Sequence, residues 1–281
     1  MLRVLKTGFY STIQDSGRFG YRKYGVPVSG AMDSYSSRFA NALLGNDKNA
    51  ALIEMTMIGG KFQFLEPTSI VVSGAFMAPK LNDIAIKPNR VVAIKANDIL
   101  SFGKTESGIR AYLAVKGGFK TDVILGSRSQ YNPVSTQNVI QKDEYIRYKP
   151  ELSDLTSFSS VKYDQSVINC NILESFKGPE FFMLNKNQKQ VLLSNDYTVS
   201  NLNNRMAYQL EPSLENNLLP ILSTPVLSGT VQLTPKGNLI VLMRDCQTTG
   251  GYPRVLQLTE KAINKLAQKT SGNTINFRLK E

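Results

Sequence analysis

Two stretches of this chain carry residue types that could hold an anion or move a proton. The first, Gln14–Asp33 (QDSGRFGYRKYGVPVSGAMD), lies between an apolar strand-like start and a helical pattern. Gly17, Gly20, Gly25 and Gly30 permit left-handed backbone and close approach of a ligand, while Pro27 stiffens the path. A loop of this length inside a compact domain is usually a binding loop; a long surface crossover is the plainer alternative. Its candidate substrate or anion contacts are Gln14, Asp15, Arg18, Tyr21, Lys23, Ser29 and Gly30.

The second stretch, Met243–Pro253 (MRDCQTTGGYP), follows an apolar strand pattern. Charges such as Arg244 and Asp245 at the end of a buried strand are costly unless paired or used. Gln247, Thr248 and Thr249 offer amide and hydroxyl groups, Gly250 and Gly251 free backbone amides, and Tyr252 follows. Such a turn can form a nest for an anion or oxyanion. The alternative is a polar turn in which Arg244 and Asp245 close an ion pair with each other.

Weaker candidates lie elsewhere. Lys116 ends a strand pattern at Lys-Gly-Gly, and Ser127 with Arg128 (LGSRS) could hold a phosphate or carboxylate, or form a turn with a solvated arginine. Glu54 is an acid among apolar neighbours (ALIEMTM), which implies a raised pKa, an arginine partner or an outward-facing position. Arg205 follows the strand-like YTVSNL. Asp245, Glu54 and Arg205 are the candidate catalytic residues.

The elements that must position these residues are mostly strands. Short β-branched runs recur at 69–76, 90–98, 108–118, 191–194 (VLLS) and 238–245. Asp33 or Ser34 can N-cap a helix SYSSRFANALLG that Gly45 stops, and Thr259 opens a second over 259–272. Many strands and few helices predict a mainly β fold of barrel or sandwich type. The serine-rich segment 149–164 is the best boundary, giving halves at 1–155 and 165–281 with strand exchange between them as an option.

Composition narrows the chemistry. The chain has 281 residues and no histidine, which removes Ser-His and Cys-His catalysis and His-ligated metal sites, so no metal is expected. No GxxxxGK[ST] occurs, no GxGxxG follows a strand, and no lysine sits between methionines as in a biotinylated carrier. The net charge of +11 is spread along the chain, favouring an anionic small molecule over nucleic acid. No apolar run approaches a membrane span and the N-terminus lacks a signal-peptide pattern, so a cytoplasmic protein is expected. Two cysteines suit a reducing compartment; Cys170 in VINCNIL reads as a buried small hydrophobe, and Cys246 as a packing residue.

QDSGRFGYRKYGVPVSGAMDS, IEMTMIGG, YLAVKGGF, LGSRS, NNRMAYQLE and PKGNLIVLMRDCQTTGGYP occur in the order seen in one family. In these the chain resembles the allophanate hydrolase subunit 2 (KipA-type) family, which includes the C component of 5-oxoprolinase and the carboxyltransferase region of urea carboxylase. The resemblance implies two cyclophilin-like β-barrel domains. It further implies two partners, a KipI-type B component and a LamB/YcsF-type A component, in a hetero-oligomer that is inactive in parts. ATP, bound with a partner, would drive the opening of 5-oxoproline to glutamate. In that scheme Lys23, Arg128, Arg205 and the 247–251 backbone neutralise a phosphate or oxyanion, and Asp245 or Glu54 orients a nucleophile or acts as base. Two other readings accompany it: a carboxyltransferase component served by biotin on a separate carrier, and a regulatory protein that antagonises a KipI-type kinase inhibitor. The chain departs from the family pattern at Lys23, where relatives have histidine, and at Lys116, Asn204, Ala207, Arg244 and Cys246.

Overall fold

In the computed structural model, which describes residues 1–151 and 161–280, the apolar runs become strands of two compact units. Unit 1 comprises Met1–Arg18 and Ser29–Ile168; unit 2 comprises Phe19–Val28 and Asn169–Glu281. The long glycine-rich loop is therefore divided: its ends belong to unit 1 and its middle, which carries a 3-10 turn at Arg22–Tyr24, to unit 2. Part of the expected boundary, residues 152–160, lies outside the described residues.

Unit 1 contains β1 (Leu2–Lys6), β2 (Tyr10–Gln14), β3 (Leu52–Thr56), β4 (Lys61–Phe64), β5 (Thr68–Phe76), β6 (Lys80–Leu81), β7 (Ile84–Ala85), β8 (Val92–Ile94), β9 (Ile99–Ser101), β10 (Ser107–Val115) and β11 (Tyr145–Ile146). They form a six-stranded sheet, β11-β1-β4-β9-β6-β7, and a five-stranded sheet, β2-β3-β10-β5-β8. The sheets enclose one core, to which Leu2, Val4, Phe62 and Phe64 come from the first and Ile53, Met55, Val72 and Leu113 from the second. In β4 the period of two is plain: Phe62 and Phe64 point in, while Lys61 and Gln63 do not.

Strand β10 lacks that alternation because both of its faces are covered. Ala111, Leu113 and Val115 face the inter-sheet core, while Tyr112 and Ala114 pack with Ala40 and Leu44 at helix α1 (Ser34–Leu43). This is why the sequence there reads as a continuous apolar run. Asp33 caps α1 by accepting from Ser36 N at 3.0 Å, and Gly45 takes φ 62 just beyond its end.

The short helix α2 (Ser166–Asn169) closes unit 1, with its last residue in unit 2, and unit 2 contains β12 (Ile172–Lys177), helix α3 (Lys186–Ser194), β13 (Tyr197–Asn203), β14 (Ala207–Glu211), β15 (Thr224–Pro225), β16 (Thr230–Leu233), β17 (Leu239–Leu242), β18 (Thr249–Gly250), β19 (Arg254–Leu258), helix α4 (Glu260–Leu266) and β20 (Thr274–Leu279). Strands β12-β19-β16-β17-β14-β13-β20 close into a seven-stranded barrel, with β12 and β20 pairing parallel; β15 and β18 pair apart from it. Val199, Tyr208, Leu210, Val231, Leu233, Val241, Leu256 and Phe277 are among its buried side chains. The protein is thus mainly β with few short helices, as the sequence predicts.

One expected strand is corrected. VLLS (191–194) is the last turn of α3, opened by a reciprocal capping box in which Asn185 accepts from Gln188 N at 2.8 Å and Gln188 Oε1 accepts from Asn185 N at 2.9 Å. A four-residue apolar run cannot distinguish a strand from a helix end; the Asn-x-x-Gln spacing before it does. The helix over 259–272 is shorter than expected and ends at Leu266, although Thr259 caps it as predicted. Replacing Asn185 by Ala should cost about 1 kcal/mol in urea denaturation, whereas Asn185→Ser should cost far less.

Candidate functional site

In unit 1 the predicted residues gather around Asp15. Its Oδ1 accepts from Gly17 N at 2.8 Å, Ser127 Oγ at 2.6 Å and Ser129 Oγ at 2.7 Å, and its Oδ2 from Arg128 N at 2.6 Å. Arg18 is fully buried and donates to the Ser129 carbonyl. Gln14 Nε2 donates to Thr12 Oγ1 at 3.1 Å and to the Gln130 carbonyl at 3.2 Å. Gly30 has φ +88, and a Cβ there would stand 2.9 Å from the Ser16 carbonyl carbon, so only glycine lets the two loop ends lie this close. Ala31 N then donates to the Asp15 carbonyl at 3.0 Å. Ser29 is buried with φ 58. Gln14, Asp15, Arg18, Gly30 and Ser127 together fasten the base of the loop.

Glu54 on β3 fastens the other end. Its Oε2 accepts from Met32 N at 2.7 Å, and Arg110 Nε lies 3.9 Å from Oε1, both side chains being almost wholly enclosed. The expected arginine partner is present. Beside it, Tyr112 Oη accepts from Asp33 N at 2.8 Å, and burial, then the charges of Glu54 and Asp33, push the phenol well above its ordinary pKa. Lys116 donates to the Leu44 carbonyl at 2.9 Å, closing the C-terminal end of α1.

In unit 2 the pairing of β14 with β17 brings Arg205, just before the one, to Asp245, just after the other. Arg205 Nε donates to Asp245 Oδ2 at 2.7 Å and its terminal nitrogen to Oδ1 at 3.2 Å, with both side chains 8% exposed. Asp245 N also donates to the Arg205 carbonyl at 2.9 Å. The expected Arg244–Asp245 pair does not form: Arg244 turns instead to Glu260, at 2.5 Å, and to Asn264, at 3.2 Å. Both residues lie in the turn beyond β17, where each charge meets a partner from another element, Glu260 for Arg244 and Arg205 for Asp245.

This fork holds the turn that follows. Cys246 packs with Val226 and Leu242, and burial raises its thiol pKa. Arg22, from the middle of the long loop, donates to the carbonyls of Val226 and Thr248, the latter at 3.2 Å. Thr249 and Gly250 pair with Pro225 and Thr224, and Ile221 N donates to the Gly251 carbonyl at 2.8 Å. A Cβ on Gly250 would fall 2.5 Å from Gln232 Nε2, so the glycine lets that amide lie flat against the turn. Gln247 Nε2 approaches Gln232 Oε1 at 3.5 Å. Gln232 Nε2, Gln247 Oε1 and Thr224 Oγ1 are enclosed polar atoms without a partner. Tyr252 is partly exposed; Lys23 is exposed with its ammonium 5.0 Å from the Tyr24 ring centre, and Tyr21 lies 6.5 Å from that ring.

Sequence reasoning passed over Arg22 and Gln232. Arg22 stood beside the more conspicuous Lys23. Gln232 had a legible signal, a long polar side chain inside TVQL, a strand buried at every position. Cys170 needs correction: it follows α2 in irregular backbone and is partly exposed, because an N-terminal helical turn interrupts the apolar run. Lys265 Nζ lies 3.2 Å from its sulfur and Lys269 donates to neighbouring Asn171 at 2.7 Å. Burial raises this thiol, but hydrogen bonding with the Ile172 carbonyl and Lys265, and the charges of Lys265 and Lys269, outweigh it and leave the pKa lowered. Among the described residues no cluster of His, Cys, Asp or Glu could hold a metal ion, and no helix is long and apolar enough to cross a membrane.

These geometries set two expectations. Arg205→Ala leaves Asp245 enclosed without its fork and should cost about 3–5 kcal/mol in urea denaturation, while the double change Arg205→Met with Asp245→Leu should cost less. At neutral pH iodoacetamide should label Cys170 before Cys246 in the folded protein, as read by peptide mass spectrometry, and Lys265→Met should slow the labelling of Cys170.

The carboxyltransferase domain family, subdomains A and B, matches residues 24–279. A relative from Escherichia coli (strain K12), the C component of 5-oxoprolinase, is 31% identical over 99% of this chain and 90% of its own length. Urea amidolyase of Lachancea kluyveri is 45% identical over 46% of this chain but only 7% of its own. The crystal structure of the K. lactis urea amidolyase superposes with a TM-score of 0.87 at 28% identity, covering 98% of this chain and 18% of that one. By sequence over nearly its whole length and by fold, this chain belongs to the carboxyltransferase domain family.

Proposed function

We propose that this chain is the C component of an ATP-dependent 5-oxoprolinase, working with a KipI-type B component and a LamB/YcsF-type A component. The observation that carries the reading is the polar corner of unit 2, where Gln232 Nε2 and Gln247 Oε1 are enclosed with no protein partner. Buried polar atoms demand partners. A lactam presents a C=O acceptor and an N–H donor side by side, the complement of this donor and acceptor pair. The full-length similarity to the C component of 5-oxoprolinase supports the same substrate class.

In this reading Gln232 and Gln247 orient the lactam amide. Arg22 fixes the carbonyls of Val226 and Thr248, and the Arg205–Asp245 fork positions the 246–251 turn without touching the ring. ATP, bound with a partner, supplies a phosphoryl group to the lactam oxygen and leaves as ADP; water adds to that carbon and the C–N bond breaks to give the γ-glutamyl phosphate, which a second water cleaves to glutamate and phosphate. The three components mixed together should hydrolyse ATP only when 5-oxoproline is present and release glutamate in step. Gln232→Leu in this chain should lower kcat/KM about tenfold, the loss of a hydrogen bond to substrate. ATP consumption indifferent to 5-oxoproline would falsify the assignment.

The urea amidolyase similarity favours a second reading, carboxyl transfer from a biotin carrier to a urea-type nitrogen. It predicts that the chain discharges a carboxylated carrier in the presence of urea, and no urea-dependent discharge would exclude it.

A further inference from the structure

Unit 1 holds a cleft of about 390 Å³ whose walls carry Lys120, Thr121, Arg128, Glu144 and Arg147. One wall is shaped by a tight turn: Ile124 N donates to the Ser127 carbonyl at 2.8 Å, Ser127 N returns to the Ile124 carbonyl at 3.2 Å, and Leu125 and Gly126 between them take φ 52 and 75. Positive φ at both central residues is the pattern of the tightest reversing turns. Arg128 leaves this turn with its backbone N bound to Asp15 and its neighbours Ser127 and Ser129 bound to the same carboxylate. The root of its side chain is thereby fixed. Arg147, on the other wall, is anchored by the bond from Lys120 N to its carbonyl at 2.7 Å.

Yet no hydrogen bond or ion pair engages either guanidinium among the described residues. Thr121 Oγ1 is enclosed and likewise without a partner. Two acids also line the cleft: Glu144, whose Oε2 accepts from Gln141 N at 2.8 Å, and Asp122, which is exposed to solvent; Lys120 is drawn to the Gly117 carbonyl at 2.5 Å. Guanidinium forks match the oxygens of a phosphate, and a dianion answers two guanidinium cations and a hydroxyl donor. The volume is in the range of small-molecule sites and larger than a bare phosphate needs.

We propose that this cleft binds a phosphate group, clamped by Arg128 and Arg147 and bonded by Thr121. The inference concerns unit 1 alone and does not depend on the activity proposed for the assembled complex. Calorimetric titration of the whole chain at low ionic strength tests it, with inorganic phosphate, AMP, adenosine and acetate as probes. Saturable one-to-one binding of phosphate or AMP is expected, with none for adenosine or acetate. AMP tighter than phosphate assigns a phosphorylated metabolite, and phosphate tighter than AMP assigns the free ion. Arg128→Gln and Arg147→Gln should each weaken binding at least tenfold, and Thr121→Val several-fold, with unchanged melting temperatures in the absence of phosphate. The proposal fails if neither phosphate compound saturates, if acetate binds equally well, or if both arginine variants bind as the parent does.

Discussion

A carboxylate drawn out of water has to fill its lone pairs, and Asp15 fills its own with donors from residues more than a hundred positions away. The start of the long loop, the 127–129 turn and, through the Asp15 carbonyl, the loop's return at Ala31 all converge on this residue. Glu54 repeats the device at Met32, from the middle of the five-stranded sheet. A glycine-rich segment would otherwise be costly to order; here the entropy lost is offset at the two ends, where charge-assisted bonds are strongest. The loop is held at its base by acids, and its middle by Arg22 on the carbonyls of Val226 and Thr248.

Unit 2 solves the same problem with a fork instead of a hub. The barrel's antiparallel β14 and β17 set the separation of Arg205 and Asp245, so the ladder determines where the turn after β17 can go. From that fixed point the chain passes Cys246 into an apolar niche and carries Gln247 toward Gln232. Asp245, predicted to be catalytic, has both oxygens on the Arg205 guanidinium. The other polar groups of the turn are carboxamide, hydroxyl and backbone, a set suited to neutral polar partners.

Much of this was legible in the sequence. Glycines at fixed places and a proline marked the loop, and the polar run after an apolar strand marked the turn, because local backbone requirements leave local residue signatures. For Glu54 an arginine partner was one of three options that the sequence left open, and Arg110 is the one the structure shows. Partners were harder to read: which arginine meets Asp245 depends on strand register, and Asp15's donors depend on a contact across the unit, neither of which leaves a mark nearby. Arg22 was hidden for a different reason, since its acceptors are main-chain oxygens with no residue type to betray them. VLLS misled because so short an apolar run carries no period, and Cys170 because an apolar run need not be a buried one.

Arg22's choice of acceptors has a consequence for how this protein can vary. A guanidinium that grips carbonyls makes no demand on the identity of residues 226 and 248, only on the course of the chain through them. As far as this contact is concerned, the side chains at 226 and 248 are open to exchange, while the path of the backbone is preserved by bonds indifferent to those exchanges. Those two side chains can change without the scaffold around the turn having to be rebuilt.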